Sequence, residues 1–146
     1  MSKLTSFALA LALTSSAYAV VTLPAAAQAE TAITASASQA SGDFVRKSKR
    51  LKGGWTIEAR GDRHVLVLDD SFRAANGPDL KIFLSPQTLD EVTGKTAING
   101  AINIGELKKT RGAQEYELPQ GLDLADYQSV LVHCEKFAVL WGGGAL

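Results

Sequence analysis

The sequence predicts an all-β protein, an antiparallel β-sandwich of about 7–9 short strands. Three observations carry this. From Gly42 onward the apolar residues come in short runs, and none holds a 3.6-residue period long enough for a helix. Those runs are separated by Gly, Pro, Asn and Asp, the residues that turn a chain. Their density, roughly one strand every dozen residues, suits two stacked sheets.

Taken in order, the chain opens with Lys3 before the apolar run Phe7 to Leu13, which continues through Ala17 to Val21 and ends at Pro24. A charged start and an apolar middle make a secretory signal peptide. Two small-x-small sites follow, Ala17-Tyr18-Ala19 and Ala27-Gln28-Ala29, and cleavage is expected after Ala29, with Ala19 the alternative. An uncleaved anchor would need about 20 apolar residues, and Thr14-Ser15-Ser16 and Pro24 interrupt the run. The protein is therefore expected in the periplasm or secreted, with no transmembrane segment after cleavage. Residues 30–41, rich in Ala, Ser, Thr and Gln, read as a disordered lead-in, and residues 42–146 as the domain.

The strands expected are Trp55–Arg60, His64–Leu68, Leu80–Leu84, Glu115–Leu118, Ser129–Cys134 and Phe137–Trp141, with a short one at Gly105–Leu107. Gly61-Asp62 predicts a tight hairpin between the first two. Asn76-Gly77-Pro78-Asp79 is a turn by composition, and residues 88–101 read as a long connection. A second hairpin is expected around Glu135-Lys136, pairing Cys134 with Phe137, Val132 with Val139 and Val130 with Trp141. Both of its faces are apolar, so it should lie centrally and be covered on both sides.

Composition excludes several functions. With 15 basic and 15 acidic residues the chain is neutral, and loss of Lys3 with the signal peptide leaves 14 against 15. Such a balance gives no global steering toward nucleic acid. The single cysteine forbids an internal disulfide, a Cys-based zinc finger and a C-x-x-C-H haem attachment.

The chemistry-bearing candidates are few. Cys134 is a lone thiol carried into an oxidising compartment, and it reads either as a buried small hydrophobe or as a redox thiol or prosthetic-group ligand. His133 adjoins it, but successive strand residues point to opposite faces, so a Cys/His dyad would need His64 from another strand. Asp69, Asp70 and Asp79 read as solvated loop acids, below the ligand count for calcium, and no metal site is expected. Gly142-Gly143-Gly144 lacks the Lys and helix of a phosphate loop and reads as a flexible strand exit. The basic run Arg46 to Lys52 is either a charge-protected edge strand or a dock for an anionic partner or membrane surface.

Three blocks then stand out in order. They are Phe72 with Asn76-Gly77-Pro78-Asp79-Leu80 and Phe83-Leu84-Ser85; Gly105-Glu106-Leu107-Lys108 with Gly112 through Pro119; and Tyr127-Gln128-Ser129-Val130 to Cys134, Phe137-Ala138-Val139 and a Gly. Together they resemble the DM13 domain family over about residues 42–145. The resemblance implies a small extracytoplasmic β-sandwich acting in electron transfer, through a naked thiol at Cys134 or a bound group such as haem. Such domains commonly carry an aromatic residue before the cysteine, where this chain has His133. By that resemblance Cys134 is the candidate redox thiol, and Cys134 with His133 the candidate cofactor ligands. Any electron donor would be a separate redox protein or cell-envelope partner, and no independent enzymatic activity is expected. The rival reading is a non-catalytic binding or adhesion module in which Cys134 is core.

Overall fold

The computed structural model describes residues 37–146; the signal peptide, its cleavage site and the first part of the lead-in lie outside the described residues. The strands are β1 (Ala37–Asp43), β2 (Val45–Arg46), β3 (Leu51–Lys52), β4 (Gly54–Arg60), β5 (Arg63–Leu68), β6 (Arg73–Ala74), β7 (Leu80–Ser85), β8 (Ile102–Glu106), β9 (Gln114–Glu117), β10 (Ser129–Cys134) and β11 (Val139–Ala145). The two-residue strands β2, β3 and β6 take the number past the main strands expected. All pairings are antiparallel, in the orders β1-β4-β5-β9, β2-β11-β10-β7-β8 and the small pair β3-β6.

Alternation explains the first sheet. In β4, Trp55 and Ile57 are buried while the alternate residues Thr56 and Glu58 are not; in β9, Gln114 and Tyr116 are buried and Glu115 and Glu117 exposed. The hairpin expected at Gly61-Asp62 is present: Arg60 pairs with Arg63, and Gly61 takes φ +67°, a left-handed conformation that glycine adopts without strain. The second sheet differs, because every residue of β10 is buried. Its Val130, Val132 and Cys134 join the core between the sheets, with Trp55, Ile57, Leu66 and Leu68 opposite. Leu131 faces the other way, into a second core with Phe83, Leu89, Val92, Ala97 and Leu140. The connection expected at residues 88–101 supplies that second cover through Leu89, Val92 and Ala97.

Three details differ from the sequence reading. Strand β1 begins at Ala37, so residues 37–41, expected in the lead-in, pair with β4. The last hairpin turns through four residues rather than two: Cys134 pairs with Val139 and His133 with Leu140, and a bulge shifts Val132 to Gly142. Phe137, expected in strand, is 61% exposed in the turn, and Ala138 takes a left-handed φ of 49°. Finally, Gly142, Gly143 and Gly144 are buried inside β11, not a flexible exit. A Cβ at Gly144 would overlap the indole nitrogen of Trp55, and one at Gly142 would overlap the Val45 carbonyl. Close approach, not conformational freedom, is what these glycines provide.

Candidate functional site

The site residues named from sequence lie at the end of β10. Cys134 is wholly buried, with Leu80 of β7 and Val139 of β11 as its strand partners, and its side chain belongs to the inter-sheet core. His133 is also buried and sits edge-on to Phe83, ring centroids 5.9 Å apart. Its Nε2 lies 2.8 Å from the Gly94 carbonyl. A carbonyl only accepts, so Nε2 carries the proton and donates. Nδ1 has no partner. Pleating thus does to Cys134 and His133 what the sequence implied, sending them into different cores.

Beyond Cys134 the chain leaves the core at once. Glu135–Phe137 forms a single 3-10 turn, and Glu135, Lys136, Phe137 and Ala138 are all exposed. The turn is pinned from β7's entry: the Glu135 amide donates to the Asp79 carbonyl at 3.1 Å and the Lys136 amide to the Asp79 carboxylate at 3.0 Å. Lys81 forms ion pairs with both Glu135 and Asp79, which hold its ammonium above the usual lysine range, the Glu135 hydrogen bond contributing most. From the other side Gly94 packs so closely on the Ala138 carbonyl that a Cβ there would overlap it.

His64 does not join this cluster; it is on β5 of the other sheet, beside a cleft formed with Gln39 and residues 121–124. The acids also have local tasks. Asp69 accepts from the Gly54 amide at 2.9 Å and the Ser71 amide at 2.8 Å. Desolvation works to raise its carboxyl, but hydrogen bonds from Ser71 and from the Gly54, Ser71 and Phe72 amides outweigh it and hold the group below the usual range. No three His, Cys, Asp or Glu side chains come together as a metal site among the described residues, and no helix there is long and apolar enough to cross a membrane.

Sequence reasoning did not foresee a buried polar network beneath β9. The Tyr116 hydroxyl donates to Gln114 Oε1 at 2.8 Å and accepts from the Lys108 amide at 2.9 Å, while Gln114 bonds both backbone groups of Lys109 at 3.0 and 2.8 Å. Burial raises the Tyr116 phenol, the Lys108 amide partly opposing it. The signal was two polar side chains at the inward positions of an alternating strand.

A two-sheet sandwich with one sealed thiol at a strand end defines the class: a small β domain with a single, buried cysteine. The chain belongs to the DM13 family, described as Electron transfer DM13, which matches residues 43–144. Neither the curated proteins nor the solved structures compared with it gave a match.

The geometry does not fit a haem held by Cys134 and His133. The two side chains enter different packed cores, and neither residue lines any of the clefts described on the surface.

Proposed function

We propose that this is an exported electron-transfer domain in which Cys134 is a shielded redox thiol, reached by local opening of the 135–138 turn. The observation that carries it is the position of the one thiol of an electron-transfer family member: fully buried, yet one residue from an exposed turn held mainly by Asp79 and Lys81. Short surface turns open at far lower free energy than a whole domain. Once exposed and deprotonated, Cys134 attacks a disulfide of a separate redox protein. A mixed disulfide forms, the partner's S–S bond breaks, and its electron pair leaves on the departing sulfur, which takes the proton Cys134 gave up.

A second reading is favoured by a specific observation: Cys134 has no exposed surface and its side chain packs in the inter-sheet hydrophobic core, as a core residue of a binding module would. Alkylation kinetics in low urea separate the two. Local gating predicts labelling much faster than global unfolding, and faster still in Asp79→Ala. Labelling that tracks global unfolding in both proteins would leave the core reading standing.

A further inference from the structure

Four cations converge where β3 meets β6. Lys52 pairs with Arg73 across that small sheet, and Arg73 pairs in turn with Arg111 through an isolated bridge. Neighbouring strands lie about 4.8 Å apart, so three basic residues stand abreast within about 10 Å. With Arg50 they line one concave cavity of about 270 Å³, whose remaining lining residue is Ala74. Four cations outside it meet carboxylates: Arg60 with Glu58 and Glu115, Arg63 with Glu117, Lys81 with Asp79 and Glu135, Lys47 with Asp90. None of the four in this cavity has a carboxylate within 4.0 Å among the described residues. Arg73 is also positioned, one guanidinium nitrogen donating to the Asp70 and Phe72 carbonyls at 2.8 and 2.6 Å.

Like charges directly opposite on paired strands destabilise a sheet. We infer that this cavity is a binding site for a phosphate group, whose charge offsets that repulsion. Guanidinium forks match the paired oxygens of a phosphate. Four positive groups in one hollow suit a doubly charged oxyanion better than a single carboxylate. The cavity falls just below the roughly 300–1,000 Å³ of drug-sized ligand pockets, as a compact group requires. The site is independent of Cys134.

Calorimetric titration of the purified protein with inorganic pyrophosphate, at ionic strength matched with chloride, is the test. Binding is expected, weakened at least about tenfold in Arg73→Gln and in Arg111→Gln, the loss of one charge-assisted hydrogen bond. The melting temperature should rise with pyrophosphate in the parent. In Arg111→Gln, whose side chain makes none of the hydrogen bonds that anchor Arg73, it should already be higher in chloride, and the rise with pyrophosphate should be smaller than in the parent. Sedimentation with phosphatidic acid vesicles, but not phosphatidylcholine, competed by pyrophosphate, assigns a lipid headgroup as source; pyrophosphate binding without sedimentation assigns a soluble phosphate ester. No pyrophosphate binding beyond chloride, or binding untouched in both variants, overturns the site.

Discussion

At Cys134 a sulfur fills space beside Leu80 and Val139 in the hydrophobic core. Truncation to Ala removes that one atom's packing and should cost about 1–2 kcal/mol. Cys134→Ser should cost more, because a hydroxyl enters the same apolar site without a partner. Urea unfolding of both variants checks the order; a serine variant as stable as the alanine one would mean that the sulfur position is wetter than its burial indicates. His133 behaves differently, since its ring both packs on Phe83 and ties β10 to the 86–101 connection through the Gly94 carbonyl. His133→Leu keeps most of the volume and removes the bond. A loss of about 1 kcal/mol is expected, with faster amide exchange in residues 94–97, measured by NMR. That the two side chains part company was legible from strand pleating alone. Cover on both faces was legible from the apolar run as well; which segment supplies it on the side of His133 and Leu131 was not, because Leu89, Val92 and Ala97 sit in a connection whose polar composition reads as open loop.

Among the elements, β4 and β9 were legible because buried and less buried residues alternate along them, whereas β5 was legible as a short β-branched and apolar run after a turn. The last hairpin was legible in place but not in register. Glu135-Lys136 are the two charged residues between apolar runs, whereas the actual turn spends an exposed phenylalanine and puts an alanine at positive φ. Neither choice follows turn chemistry. The network at β9 yields a prediction in pH. Burial raises the Tyr116 phenol above its ordinary value of 10.0. The unfolded chain therefore loses this proton first as pH rises, and the stability tied to the protonated phenol is full below about 10 and drains away above it. Tyr116→Phe should cost about 1–2 kcal/mol at neutral pH by stranding Gln114 and the Lys108 amide. It should also flatten the decline above about pH 10, so that the two unfolding curves converge. Parallel curves across that range would show that other groups govern alkaline unfolding.

At the scale of the molecule, the sandwich closes only because glycines let its layers touch, and because β1 covers the outer edge of β4. Six residue pairs join β1 to β4, from Ala37 with Ala59 to Asp43 with Gly54. Gly42 of β1 lies flat on the Trp55 ring, a Cβ there meeting it at 3.1 Å. Composition assigned residues 37–41 of this segment to a lead-in because Ala, Ser, Thr and Gln bury little on their own. Its contribution is instead backbone pairing and a thin lid over a tryptophan, neither of which leaves a hydrophobic signature. The same long-range cause hid the cationic cavity: Arg73 and Arg111 are remote in sequence from the basic run, and only the β3-β6 pairing and its neighbouring bridge bring them to Lys52. Two truncations put β1 to the test. Removing residues 1–36 should leave the urea midpoint within error of the longer chain, since no residue of β1 is lost. Removing residues 1–43 frees one edge of β4 and uncovers Trp55, which should lower stability by about 2–4 kcal/mol and leave an exposed strand edge that self-associates, seen as light scattering at high concentration. Equal midpoints for the two truncations would place the start of the folded domain after Asp43, at Phe44, whose ring packs edge-on against Phe72 at 5.5 Å.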